Sequence, residues 1–206
     1  MNPQADTIVA PEAKPRRIRS MFAAIVPRYD TVNSLMTLGL DRRWRRDTVA
    51  IARAHGGLAL DIATGTGELA FELTRQGARA VVGVDFCSEM LTAAVKKRAG
   101  AGVDSGKVTF LAGDAMALPF ADATFDCIVN GFMLRNVADL GATFAELCRV
   151  LKPGGRLACL DLTPPRGPMR GFFALYIATF VPLLGIMVAG NYGAYRYLFQ
   201  SLSLHP

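Results

Sequence analysis

From Leu58 onward, short continuous apolar runs alternate with segments of helical period. Leu58 to Ile62, Ala80 to Val84, Lys107 to Ala112, Phe125 to Asn130 and Arg156 to Leu162 have the length and composition of buried strands. Between them, Glu68 to Gln76, Ser88 to Ala99 and Ala138 to Leu151 have the spacing of helices, the last closed by Lys152-Pro153-Gly154-Gly155. Strands that alternate with helices of this length predict a parallel sheet with right-handed crossovers. The fold class is therefore α/β, a doubly wound and mostly parallel sheet, with its ligand outside the carboxyl ends of the strands. Upstream, Ile18, Met21, Phe22, Ile25 and Val26, then Val32, Leu35, Met36 and Leu38, recur at helical spacing. Pro27 and Gly39 interrupt this run, and Val49, Ala50 and Ile51 carry it to a stop at Gly56-Gly57. Met1 to Pro15 is polar and contains three prolines, so it reads as a loose tail with no signal-peptide core.

The last third has a different pattern. Residues 171–195 contain no charged side chain. A run of that length is a candidate membrane span. Pro182 and Gly185 fall inside it, and Arg166, Arg170 and Arg196 flank both ends. A lid or wall over a greasy substrate is the preferred reading. This segment accounts for an apolar content of 51% beside only 19% charged residues. Such a composition excludes intrinsic disorder.

The net charge of +6 is concentrated near the N-terminus, where residues 1–53 carry ten Lys/Arg against five Asp/Glu. Arg42, Arg43, Arg45 and Arg46 surround Trp44. An anionic membrane surface could use this face, and no nucleic-acid signature accompanies it. Cys87, Cys127, Cys148 and Cys159 form no Cys-x-x-Cys pair, and the histidines are His55 and His205, so no metal site is expected. Four reduced thiols suit a cytoplasmic protein.

Chemistry concentrates at the strand ends. Asp61-Ile62-Ala63-Thr64-Gly65-Thr66-Gly67-Glu68 crosses the first strand–helix turn. Gly65 and Gly67 let backbone approach a ligand closely. Asp85 ends the second strand, where a carboxylate can take both hydroxyls of a ribose, and Asp114-Ala115 follows the third, where an adenine amino group would lie. Gly65-x-Gly67-x-x-Ala70 also satisfies the dinucleotide fingerprint. Asp61, expected inside the pocket, would repel a pyrophosphate and welcome a sulfonium or ammonium.

The Asp61–Glu68 run, Leu118-Pro119-Phe120-Ala121-Asp122-Ala123-Thr124-Phe125-Asp126 and Arg149-Val150-Leu151-Lys152-Pro153-Gly154-Gly155 together resemble class I S-adenosylmethionine (SAM)-dependent methyltransferases. Tyr29-Asp30-Thr31-Val32-Asn33 with Thr37 and Trp44, and Phe132-Met133-Leu134-Arg135-Asn136-Val137, are similar to signatures of the ubiquinone/menaquinone-biosynthesis C-methyltransferase family. Pro182-Leu183-Leu184-Gly185, Tyr195-Arg196-Tyr197-Leu198 and Ser201 resemble that family's C-terminal lid. Departures include Asp41 in place of His, Thr37 in place of Ser, Val32 in place of Met, Glu68 in place of Asp, and Asn191 and Gln200 in place of acids. The class I fold normally closes with an antiparallel sixth and seventh strand, which this chain, ending at Pro206, is expected to lack. An uncovered sheet edge invites association, so a homodimer is among the expected states.

The resemblance implies a tail over residues 1–17 and a single domain over 18–206. That domain would comprise N-terminal helices (18–56), a SAM-binding core (57–163) and an apolar helical lid (164–206). It implies C-methylation of a polyprenyl hydroquinone, either demethylmenaquinol or 2-polyprenyl-6-methoxy-benzoquinol, at the inner face of the membrane. A methyltransferase for another apolar small molecule and a non-catalytic SAM-binding scaffold are the alternatives. SAM-binding roles pass to Thr66, Asp85, Asp114, Ala115 and Gly131, beside Asp61, Gly65 and Gly67 from the residue reading. Arg135 and Asn136, with Asp30 and Tyr29, are the candidate catalytic residues. Asp161, at the end of the fifth strand, is a further candidate. Arg135 suits a phenolate-stabilising role better than that of a free base, because its pKa is very high.

Overall fold

A computed structural model describes residues 13–163, 165, 167 and 169–184. Three helices precede the sheet: α1 (Ala13–Ile25), α2 (Tyr29–Met36) and α3 (Leu40–Ala52), with a tight helical turn over Val26–Arg28 between the first two. Helix α1 begins inside the stretch expected to be a tail. Pro15 falls in its first turn, where an amide N–H would have no partner in the helix anyway. The break at Gly39 is a left-handed residue, φ 78°, which starts α3 in a new direction.

The alternating region folds as β1 (Leu58–Ile62), α4 (Glu68–Arg75), β2 (Ala80–Asp85), α5 (Ser88–Arg98), β3 (Val108–Ala112), β4 (Phe125–Gly131), α6 (Leu140–Val150) and β5 (Leu151–Leu160). Among the described residues all four strand pairings are parallel, in the order β3-β2-β1-β4-β5. The order reverses between β1 and β4, and that is where the loops after β1 and β4 diverge to open a crevice.

Two apolar layers cover the sheet. Val49 of α3 and Phe71 and Leu73 of α4 pack with Ala59, Val81, Cys127 and Val129 on one face. Leu147 and Val150 of α6 pack with Leu60, Ile62, Phe125 and Ile128 on the other. Gly83 is required in β2, because a Cβ there would lie 2.7 Å from the Phe110 ring and 2.9 Å from the Thr64 hydroxyl.

Two elements of the alternating region start more than one residue away from the sequence expectation. Helix α6 starts at Leu140, where the Asp139 carboxylate accepts the Ala142 N–H at 3.0 Å and caps the first turn. Strand β5 starts at Leu151, and Lys152-Pro153-Gly154-Gly155 is a register shift within its pairing to β4 rather than a turn before it. Gly155 permits this, since a Cβ would sit 2.7 Å from Leu151 and 2.9 Å from the Asp126 carbonyl. Arg149 ties the 118–126 strap to α6 through the carbonyls of Leu118 and Phe120 and the carboxylates of Asp122 and Glu146.

The apolar C-terminal run forms α7 (Met169–Leu184), whose Tyr176 hydroxyl donates to the Met36 carbonyl of α2 at 2.9 Å. Among the described residues no helix is long and apolar enough to cross a membrane. The lid motif around Tyr195, with Asn191, Gln200 and Ser201, lies outside the described residues.

Candidate active site

At the carboxyl edge of the sheet a cleft encloses about 910 Å³, counting the part open to solvent. The loop after β1 supplies Ala63 and Gly65, the end of β2 supplies Asp85 and Phe86, and the loop after β3 supplies Asp114, Ala115 and Met116. The end of β4 supplies Gly131, Phe132, Met133 and Asn136, and the N-terminal segment covers the mouth with Phe22 and Tyr29. The rings of Phe22 and Tyr29 meet edge to face, 6.1 Å apart.

Asp85 is anchored before any ligand arrives. Its Oδ2 accepts the Gly65 N–H at 2.8 Å and its Oδ1 the Cys87 N–H at 2.9 Å. Burial raises its carboxyl above the usual range, and these amides with that of Phe86 pull it back. The carboxylate therefore ties the glycine loop to the end of β2. Gly65 adopts φ 56° with nothing within 4 Å of where a Cβ would project, so its backbone faces open space. Asp114, with its side chain accepting the Met116 N–H at 2.9 Å, and Ala115 also border the cleft.

Three expected cofactor residues sit differently from the reading made of the sequence. Asp61 is 0% exposed and is not among the residues lining the cleft. It lies behind Thr64, whose hydroxyl donates to its Oδ2 at 2.6 Å, while its Oδ1 has no partner. Burial raises this carboxyl to about 7, against the opposing hydrogen bonds from Thr64 and the Ala70 amide. Gly67 does not face the cleft either. Its φ of 88° begins α4, and a Cβ would lie 2.9 Å from Phe110 and 3.0 Å from Phe71, so helix-on-sheet packing requires this glycine. The Thr66 hydroxyl donates to Asp30 at 2.6 Å.

A second pocket continues from the first behind the shared side chains Phe22, Tyr29 and Phe132, and encloses about 430 Å³ including its open part. Asn33, Met36, Thr37 and Asp41 line it from the N-terminal helices, and Arg135 and Leu162 from the ends of β4 and β5. Arg135, 6% exposed, donates to Asp161 at 2.9 Å and stands 5.9 Å from the Phe132 ring. Burial pushes the Tyr29 phenol up, opposed by a hydrogen bond with Asn33 and the charges of Arg45 and Arg135. Burial would also raise Asp41, but Arg45, Thr37 and Ser34 outweigh it and hold that carboxyl below the usual range.

The structure thus brings Tyr29 and Arg135 together in the second pocket and leaves Asn136 on the wall of the first, with its amide donating to the Phe132 carbonyl at 3.0 Å. Asp30 borders neither pocket. Its oxygens accept from Thr66 and, at 2.8 Å, from Lys97. Sequence reasoning missed Phe86 and the pair Phe22 and Met90. Phe86 could have been found as the residue just past the strand-end acid. The other two become site residues only when α1 and α5 pack over the crevice.

A parallel sheet of this order, with a glycine turn after β1 tied to an acid that ends β2, is shared by class I SAM-dependent methyltransferases and dinucleotide-binding domains, and likeness to known proteins decides for the methyltransferases. Solved structures share the fold. The chain is similar to the YcgJ protein from Bacillus subtilis, with TM-score 0.56 and 28% identity, over 66% of this chain and 57% of that one. It also shares its fold with a SAM-dependent methyltransferase from Aquifex aeolicus, with TM-score 0.56 and 23% identity, over 68% and 75% of the two chains. The model of the ubiE/COQ5 methyltransferase family matches residues 10–206, and the chain belongs to that family. It is 43% identical to a demethylmenaquinone methyltransferase of Roseiflexus sp. (strain RS-1), over 95% of this chain and 82% of that protein. It is 47% identical to the ubiquinone/menaquinone biosynthesis C-methyltransferase UbiE of Desulfotalea psychrophila, over 89% and 74%. The chain is a SAM-dependent methyltransferase of quinone biosynthesis.

Proposed function

We propose that the chain transfers a methyl group to a ring carbon of a polyprenyl hydroquinone, with demethylmenaquinol or the demethylated benzoquinol as acceptor. The observation that carries this reading is the second pocket. It adjoins the cofactor cleft through one aromatic wall and holds the cation Arg135 among apolar Phe22, Met36, Phe132 and Leu162 and polar Asn33, Thr37 and Asp41.

The residues present fit SAM. Asp85 suits the ribose hydroxyls, Phe86 and Met116 offer apolar surface to a flat base beside Asp114 and Ala115, and the open backbone at Gly65 admits the amino-acid end. Gly131 borders the cleft, and a Cβ there would lie 3.0 Å from Leu69 of α4. SAM supplies an electrophilic methyl group on a sulfonium. Carbon is a poor nucleophile, so the ring must be made electron-rich by charge on its oxygen. Arg135 meets that need by stabilising a phenolate, since only one of its nitrogens is committed to Asp161. Asp161 holds the guanidinium in place. Tyr29, Phe22 and Phe132 exclude water from between the two ligands and orient the acceptor ring. Asn136 fixes the turn that carries Arg135.

The polyprenyl tail would remain in the bilayer, with the protein docked peripherally on its cytoplasmic surface. Leu38, 77% exposed, and exposed Leu35 and Leu40 flank Met36 and Thr37, which line the second pocket, and are followed in the chain by exposed Arg42 and Arg43. Phe172 and Leu175 of α7 are exposed too. This combination of apolar and basic side chains suits an anionic membrane surface.

The test is methyl transfer from labelled SAM to each reduced quinol in liposomes. Label in either supports the reading and selects the ring. Retained SAM binding with no label in either quinol would refute it.

A further inference from the structure

The mechanism leaves a charged cluster beside the cofactor loop unused. Lys97, near the end of α5, reaches over the start of α4 and contacts two carboxylates from different elements: Asp30 of α2, at 2.8 Å, and Glu68 of α4. Asp30 in turn accepts the Thr66 hydroxyl at 2.6 Å. These four residues join three parts of the site. Thr66 is buried between Gly65, which borders the cofactor cleft, and Gly67, which starts α4. Asp30 follows Tyr29, the side chain that walls both pockets. Without a cation, Asp30 and Glu68 would face each other as like charges and push α2 away from α4. With Lys97 between them, the same charges draw the aromatic wall onto the cofactor loop.

We propose that Lys97 is a positioning residue that makes closure of the α2 wall and ordering of the 64–67 loop a single event. Asp30 then acts through Tyr29 and Thr66 and does not touch substrate. The cluster is partly solvated, with Lys97 34%, Asp30 37% and Glu68 29% exposed. Ion pairs this exposed add little to global stability. Its effect should therefore appear as coupling between the loop and α2, with thermal stability nearly unchanged. The inference rests on SAM as the ligand of the cleft and is independent of which acceptor is methylated.

The experiment is hydrogen exchange of the α2 amides, Tyr29–Met36, with and without S-adenosylhomocysteine, run beside calorimetric titration of the same ligand. In the wild-type chain the ligand should slow α2 exchange by about fivefold or more. In Lys97→Met that gain should fall below about twofold while the ligand still binds, and Lys97→Arg should restore it. Should Lys97→Met fold poorly, a salt series on the wild-type chain decides the matter. Raising salt from about 0.05 to 1 M should erode the α2 gain, because exposed charges are screened over a few ångströms there. Undiminished α2 protection in folded Lys97→Met, or in high salt, would overturn the inference alone. No binding heat with the wild-type chain would overturn the cofactor assignment and this inference together.

Discussion

Replacing Arg135 tests the proposed chemistry most sharply, because the structure separates its two jobs. The guanidinium is 6% exposed and its partner Asp161 18% exposed, so the pair is nearly buried. Removing one member of such a pair leaves a charge without compensation, at a cost of about 3 kcal/mol. The cost in Arg135→Met should lie somewhat below that, at about 2 kcal/mol, because Asp161 keeps the Leu162 N–H at 2.8 Å and some solvent. For a domain of this size that corresponds to a loss of about 4–8 °C in Tm. The double variant Arg135→Met/Asp161→Leu removes both charges and should recover most of this loss. Turnover should behave differently. If Arg135 stabilises the developing phenolate, its loss costs about 3 kcal/mol of barrier, or roughly a hundredfold in rate. The double variant should not recover that. S-adenosylhomocysteine affinity should stay within about twofold in both variants, since Arg135 borders the second pocket and not the first. Urea titration, calorimetry and initial rates under saturating cofactor measure the three quantities. Parallel loss of cofactor affinity and turnover, or recovery of turnover in the double variant, would refute the assignment and leave Arg135 a structural residue.

Other expectations follow from the same geometry. Asp61 titrates near 7 when folded and near 3.8 when unfolded, so its proton is favoured by the folded state. Stability from this group is fully present below the unfolded value and is lost as pH rises through 7, by up to about 4 kcal/mol. Asp61→Asn should flatten the stability profile between these values and be more stable than the wild-type chain at pH 8, as urea titrations across pH would show. Gly67→Ala should destabilise the fold by about 2 kcal/mol, because its Cβ meets two aromatic rings at a positive φ. Gly65→Ala, in open space, should cost about 1 kcal/mol of stability but weaken S-adenosylhomocysteine binding measurably in calorimetry. Tyr29→Phe keeps the aromatic wall and should leave cofactor affinity and turnover near those of the wild-type chain, whereas Tyr29→Ala, which removes the wall, should lower turnover in initial-rate assays; a large loss of turnover in Tyr29→Phe would contradict this.

Much of this protein was legible in the order of its residues. The alternation of apolar runs with helical segments implied a parallel sheet, because a strand covered on both faces must be apolar throughout. The acid at the end of β2 and the turn at Gly65 were legible for a related reason: in this topology strand ends converge on the crevice whatever the details of packing. Arg135 and Asn136 could be assigned to the same edge because they follow β4. What the residue order left open was which side of a strand end a side chain takes, and what meets it there. Asp61 shares that edge, yet its side chain turns into the layer beneath α4, where burial and not a ligand raises its pKa. Gly67 carries the look of a ligand contact and is held instead by Phe110 and Phe71. Lys97 reads in sequence as one more solvated lysine on α5. It becomes a link between α2 and the cofactor loop because the fold brings Asp30 and Glu68, distant along the chain, within its reach and sets Thr66 against Asp30. Local pattern determines which faces are buried, since that depends on periodicity. The partner of a given charge depends on how the layers are superposed, and only the tertiary structure decides that.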